Sequence, residues 1–216
     1  MKTNPGVKQS QAFTLFEILI VIAVLILLAA FLLPPVNHPR NRATRISCVN
    51  NLKQFGLAYR LWAGDNGDNY PMGVTTNSGG SMERALGGDV VLTFQVMSNE
   101  LSTPKILHCP SDTRRSAATN FADLTLTNIS YFVGVDVTAT NAEMFLGGDR
   151  NLTTGKGMSS GLQNLTTNQA VRWTSEIHKN AGNILLADGS VQQLSDTGLR
   201  EAWIRTGVAT NRLAFP

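Results

Sequence analysis

Glu17 is a single carboxylate placed near the start of an apolar run, where such a group can neutralise an amine or cation brought to it. From Phe13 to Leu33 the only other polar side chain is Thr14. An ionised group costs on the order of 2.5–3.5 kcal/mol near the centre of a bilayer and less toward its edge, so Glu17 calls for a partner. An α-amine created at Phe13 would lie four residues before it, one helical turn away and opposite in charge. No other group of residues spells out a reaction. His38, His108 and His178 are scattered without the spacing of a zinc site. Gly157-Met158-Ser159-Ser160-Gly161 has the form of a nucleophile elbow but lacks the buried strand before it and the helix after it. There is no phosphate-binding or dinucleotide fingerprint, and catalysis is not expected.

Two further sets of residues bear on ligands and crosslinks. Cys48 and Cys109 can pair if the chain folds outside the cytoplasm, closing a loop worth ~4 kcal/mol in the chain-entropy model, or stay as buried thiols; the pair is the expectation. The loop Asp65-Asn66-Gly67-Asp68-Asn69-Tyr70-Pro71 alternates oxygen-bearing side chains. Asp65 and Asp68 are its calcium candidates, but Thr76 stands at the twelfth position where an EF-hand needs a bidentate Glu, so a solvated turn is preferred and no metal or cofactor is expected.

The elements that must position these groups follow from hydrophobic period. The run 13–33 is long enough as a helix to match a bilayer core of roughly 30 Å, and Pro34-Pro35 interrupts it. Its length and Glu17 set it apart from the short apolar core of a secretory signal peptide, although Leu28-Ala29-Ala30 offers a cleavage site. A plain single-pass anchor is the other ordinary reading. Lys2 and Lys8 precede the run while Arg40, Arg42 and Arg45 follow it, so basic residues do not decide its orientation. Ile46, Val49, Leu52, Phe55, Tyr59 and Trp62 form one stripe on an amphipathic helix over about 41–63. Asp89 is expected to cap a short helix bearing Val90, Val91, Phe94, Met97 and Leu101. Strands are expected over 105–109, 129–137 (half-buried), 143–147 and 171–175, with an exposed loop over 149–169. Residues 183–194 read as a hairpin around Asp188-Gly189 in a type I′ turn, and Asp196 as the cap of a last helix carrying Leu199, Ala202 and Trp203 inward and stopping at Gly207.

Ala12-Phe13-Thr14-Leu15-Phe16-Glu17 after a short basic leader, followed by the apolar helix, resembles the type IV pilin and type II secretion pseudopilin family; Ala12 stands where the family usually has Gly. The resemblance implies a prepilin-peptidase cut between Ala12 and Phe13, N-methylation of Phe13, and a Glu17 that neutralises a neighbouring subunit's terminal amine. His178, nine residues and then Asp188-Gly189 resembles a prepilin-processing-associated module found with such leaders in planctomycete- and verrucomicrobium-like bacteria. His178 could hydrogen-bond across the hairpin, touch another subunit, or bind a metal with Asp188; the structural role is preferred because Asp-Gly turns need no chemistry.

The expected organisation is a leader over 1–12, a transmembrane helix over 13–35, an amphipathic helix over 36–63 and an extracytoplasmic head over 64–216. The expected fold class is α+β and pilin-like, with a long N-terminal helix, half membrane and half amphipathic, packed on a small antiparallel sheet. The expected partners are prepilin peptidase, sister subunits, the inner-membrane assembly platform and lipid. Nucleic acid is not indicated: the net charge is +3, and without Lys2 and Lys8 it falls to +1. A membrane-tethered module capturing a glycan or calcium is the alternative function.

Overall fold

The computed structural model describes residues 13–32, 39–155 and 157–216. The cleavage-site residue Ala12, the leader, Pro34-Pro35 and His38 lie outside the described residues. The chain divides into one compact unit ending at Pro39 and another from Arg40 to Pro216.

In the first unit the apolar run forms helix α1, Leu15–Leu32. Thr14 and Glu17 open it as a reciprocal capping box, the Thr14 backbone N–H donating to Glu17 Oε2 (2.8 Å) and the Glu17 N–H to Thr14 Oγ1 (3.3 Å). Eighteen residues rise only about 27 Å. Among the described residues no helix is long and apolar enough to cross a membrane, which does not fit the expected span over 13–35.

The second unit begins with α2, Pro39–Asp65. Next come α3 (Met82–Leu86), α4 (Val91–Val96) and α5 (Ser98–Leu101), then the strands β1 (Tyr131–Gly134), β2 (Phe145–Asp149), β3 (Leu152–Thr153), β4 (Gly161–Thr166), β5 (Arg172–Trp173), β6 (Ala181–Leu186) and β7 (Val191–Ser195). Helix α6 (Asp196–Arg205) and strand β8 (Thr210–Phe215) close the chain. Six strands form one antiparallel sheet in the order β4-β8-β1-β2-β6-β7, while β3 and β5 make a separate ribbon. The expected fold is corrected here: the class is α+β, but the body is a six-stranded sheet, and among the described residues no single long helix runs from the apolar segment onto a small sheet. The apolar and amphipathic stretches are two helices belonging to two units.

The sheet is covered on both faces. On one, α2 lays Leu52, Phe55 and Tyr59 together with Tyr131, Val133, Leu146 and Leu185. On the other, Phe132, Phe145, Ile184 and Leu213 meet Leu199 and Trp203 of α6 and Trp173 of the ribbon. Successive residues of a strand point to opposite faces, so β1 is buried at all four positions rather than half-buried as its alternation implies. Ile46, in the expected stripe, is 50% exposed, and Cys48 takes a place in the core.

Several expected elements change. Residues 105–109 are not a strand: Thr103 and Pro104 start a 3₁₀ turn over Pro104–Leu107, the Thr103 side chain accepting from the Lys105 N–H. The stretch 149–169 is not all loop, since β4 pairs along β8 from Gly161↔Phe215 to Thr166↔Thr210. Ser195 caps α6, accepting from the Gly198 N–H, and Asp196 instead accepts from the Trp173 N–H (2.8 Å), tying the ribbon to the helix. The hairpin is present, but its turn is not type I′. That turn needs a positive φ at Asp188, and of Asp188 and Gly189 only Gly189 has one (φ 81). The Gly189 N–H bonds Leu186 O and the Leu186 N–H bonds Ser190 O, which makes a three-residue loop with glycine at the left-handed position.

Trp173 lies flat against Gly182, where a Cβ would come 2.3–2.5 Å from three ring atoms. A rigid indole between ribbon and sheet has little room to give, so Gly182→Ala is expected to destabilise the unit by about 1–3 kcal/mol. Urea unfolding followed by tryptophan fluorescence measures it; a change under about 0.5 kcal/mol would show that the ribbon lifts off the sheet at little cost.

Candidate functional site

The described residues hold two places where chemistry is conceivable, together with an open cleft. The first is the start of α1. Every described side chain from Phe13 to Ala30 is exposed, Phe13 at 80% and Leu15 at 83%. Among the described residues Glu17 is held by Thr14, through the backbone N–H and the hydroxyl (2.9 Å). The Thr-x-x-Glu pattern was visible in the sequence as a capping box, a role the acid has beside any assembly role.

The second place is a buried polar cluster at the end of β2. Asp149 is opposite Tyr131 of β1, and its Oδ2 accepts from the Asn183 N–H (2.7 Å) and side-chain amide (2.9 Å) on β6. His178 enters from the loop before β6, where Lys179 (φ 54) and Asn180 (φ 60) are both left-handed. Two consecutive residues in that sparsely populated region turn the chain sharply and leave the imidazole facing inward. Its Nε2 lies 3.1 Å from Asn183 Nδ2, 3.3 Å from Asp149 Oδ2 and 3.5 Å from Cys109 Sγ. Cys109 is disulfide-bonded to Cys48 of α2, with Cα atoms 5.0 Å apart.

Burial pushes the Asp149 carboxyl up to about 7 against the Asn183 hydrogen bonds and the charge of Arg45. Burial, then Arg45, lowers the His178 imidazole to about 4. The two therefore do not form an ion pair at neutral pH: the imidazole is neutral, and Asn183 Nδ2 donates to its Nε2 lone pair. From about pH 4 to 6.5 the folded pair holds one proton, and the unfolded pair, with ordinary values of 3.8 and 6.5, also holds one. Equal proton counts make stability insensitive to pH over that window as far as this pair is concerned.

Beside it runs an ion-pair chain. Arg150 grips Asp112 with two hydrogen bonds, Nε to Oδ2 at 2.7 Å and Nη2 to Oδ1 at 2.8 Å, and also bonds Glu176. Arg114 reaches Glu176 from the surface at 3.3 Å. Burial by itself would raise the Asp112 carboxyl, but the hydrogen bonds and charge of Arg150 outweigh it and hold the group below its ordinary range.

These arrangements correct the site expectations. Asp188 does not approach His178; its carboxylate accepts from the Ser190 N–H within the turn, and the acid beside His178 is Asp149. Asp65 and Asp68 are exposed, and their loop folds back on α2 through Asp68 N–H to Ala63 O (2.9 Å) and Asn66 Nδ2 to Trp62 O (2.8 Å). Among the described residues the only group of three or more metal-ligating side chains is Cys48, Cys109 and His178. Ser159 of the elbow-like motif accepts from Gln163 Nε2 and has no histidine among its hydrogen-bond partners. No motif marks Asp149, Asn183 or Arg150 in the sequence: Asp149 and Asn183 meet across the neighbouring strands β2 and β6, and Arg150 meets Asp112 and Glu176, which lie outside the strands.

The cleft, of about 360 Å³, opens between the 167–172 segment and α6, lined by Gln169, Arg172, Asp196, Arg200 and Trp203 among others. Comparison with protein-family models, with curated proteins and with solved structures finds no match to this chain.

Proposed function

We propose that the chain is a structural subunit of a pilin-like or pseudopilin-like filament, cut between Ala12 and Phe13, N-methylated at Phe13, and held at the inner membrane by its N-terminal apolar segment with residues 40–216 outside the cytoplasm. The observation that carries this is α1: its described side chains are apolar and exposed on every side, save Thr14 and one carboxylate a turn from Phe13. Such a helix needs lipid or sister helices around it. The described part of this helix, about 27 Å long, presents exposed apolar surface along its length and Glu17 near its start. The disulfide suits an oxidising compartment outside the cytoplasm. In the filament, an incoming amine takes Glu17 from Thr14, and a misaligned subunit leaves the acid unpaired among apolar side chains. The partners are prepilin peptidase, sister subunits and the assembly platform.

The mass of the mature N-terminus in native cells tests this. N-methyl-Phe13 is the expected start; an intact Met1, or a start beyond Ala30, overturns the proposal. Glu17→Ala is expected to leave membrane association intact and to reduce filament incorporation at least tenfold, read from sheared filament fractions; normal incorporation would remove Glu17 from the mechanism.

A second reading, a membrane-tethered module that captures a glycan, is favoured by the cleft beside α6, where Arg172 and Arg200 flank polar side chains. Specific glycan binding by the full chain, lost on Arg200→Ala, would bring it forward.

A further inference from the structure

We propose that the Cys48–Cys109 disulfide closes a latent zinc site, which opens on reduction and is completed by His178 and Asp149. It goes beyond the filament reading and does not depend on it.

The ligand atoms of Cys48, Cys109 and His178 already lie within 4.8 Å of one another. A tetrahedral zinc with ordinary bond lengths sets its nitrogen and sulfur ligands about 3.6 Å apart and its nitrogen and carboxylate oxygen ligands about 3.3 Å apart. Here His178 Nε2 is 3.5 Å from Cys109 Sγ and 3.3 Å from Asp149 Oδ2. Two of the ligand edges are therefore at metal-site length. The two sulfurs, bonded to each other, must separate to about 3.8 Å, and Asp149, which is not in the mutually close set of Cys48, Cys109 and His178, must meet them there. Breaking the S–S bond frees the two cysteine side chains to rotate toward both His178 and Asp149.

The surroundings are those of a metal site. The ring nitrogen facing the cluster carries the lone pair, because it accepts from Asn183; that hydrogen bond gives way when a metal takes the lone pair, while the Asn183 amide stays on the Asp149 carboxylate and orients it. Asp149 Oδ1 is buried without a hydrogen-bond partner. All four side chains are buried, those of His178 and Asp149 being 3% and 0% exposed. Charge also balances: two thiolates and a carboxylate are matched by a divalent cation and Arg45, which is close enough to act on both Asp149 and His178.

The chemistry is conservative. A dithiol donates two electrons and becomes a disulfide, the Cys48–Cys109 bond breaks, and each sulfur takes a proton. Zinc then displaces both protons as it binds the thiolates. Exchange with a small-molecule disulfide, which takes two electrons and leaves as a dithiol, re-forms the Cys48–Cys109 bond and expels the metal.

The test uses the full chain in detergent, reduced or oxidised, with cobalt as a spectroscopic stand-in and zinc as competitor. The reduced chain is expected to bind about one metal with thiolate-to-cobalt charge-transfer bands and tetrahedral visible bands, and zinc is expected to raise its thermal midpoint. The oxidised chain should do neither. His178→Gln and Asp149→Asn should each weaken binding tenfold or more; near-UV circular dichroism checks that they fold, and Asn183→Ala, which leaves all four ligands, should weaken binding less. No cobalt bands after reduction, equal binding by the oxidised chain, or unchanged affinity in both ligand variants overturns the proposal, as does a reduced chain that zinc cannot return to its native dichroism.

Discussion

Arg150→Met is expected to destabilise the 40–216 unit by about 3–5 kcal/mol, because it removes the cation between two carboxylates without giving them a new partner. Asp112 is fully buried at its side chain and Arg150 is 12% exposed, so water cannot readily take over from the guanidinium. The methionine side chain replaces most of the arginine stem, so the loss is mainly of charge and hydrogen bonds rather than of packing. Arg150→Lys should cost less but not be neutral, since a point charge does not reproduce the two-pronged grip on Asp112. Combining Arg150→Met with Asp112→Asn should recover part of the loss. Trp62, Trp173 and Trp203 are all buried in this unit, so urea unfolding of the full chain in detergent, followed by their fluorescence, reads it directly. A loss under about 1 kcal/mol would place Arg150 in the class of surface pairs. The pH dependence has a definite sign. Asp112 has a folded value below the ordinary 3.8, so the stability it contributes is complete above that value and is lost as pH falls through the folded one. Wild-type protein should therefore lose stability on acidification below about pH 4 more steeply than the Arg150→Met, Asp112→Asn double variant.

The second large effect is expected from the crosslink. Replacing Cys48 and Cys109 together by alanine should lower unfolding free energy by about 4 kcal/mol, the chain-entropy value for a loop of this length. The bond joins α2 to the segment after the 3₁₀ turn across 61 residues of sequence. Without it, Asn51 Nδ2 to His108 O (2.9 Å) is a remaining direct link between the two segments. Chemical denaturation of wild-type and variant chains measures the difference in midpoint. A difference below about 1 kcal/mol would mean that the unfolded chain already keeps these segments together, so that the bond constrains little.

What local sequence determines here is what local interactions hold. The stripe Leu52, Phe55, Tyr59 and Trp62 marks α2 because a helix brings every third or fourth residue to one face, and the core receives them. Leu199, Ala202 and Trp203 mark α6 for the same reason. Asp188-Gly189 announces a hairpin, although the turn type was missed, since Asp-Gly serves the three-residue loop as well as the two-residue one. Pro104 was the overlooked local signal, and reading it as the start of a helical turn would have prevented the strand assigned to 105–109. The opening of α1 carried a double meaning in six residues, a resemblance to a processed leader and a capping box, and only the second needed no partner chain.

Tertiary structure alone decided the rest. Strand β8 was not anticipated, yet it sits inside the sheet between β4 and β1, because a strand of that kind is stabilised by neighbours far away in sequence. Burial of β1 on both faces could not be read from its alternation, for the second face is covered by α6 and the ribbon, which the chain reaches later. His178 was singled out with the wrong acid: sequence spacing pointed to Asp188, whereas sheet register set Asp149 and Asn183 beside it and the disulfide brought Cys109 within 3.5 Å. Hydrophobic period and turn chemistry are properties of neighbouring residues. The meeting of a carboxylate, an imidazole and two sulfurs from four separate segments depends on how the sheet pairs and what packs on it, and no window along the chain contains that information.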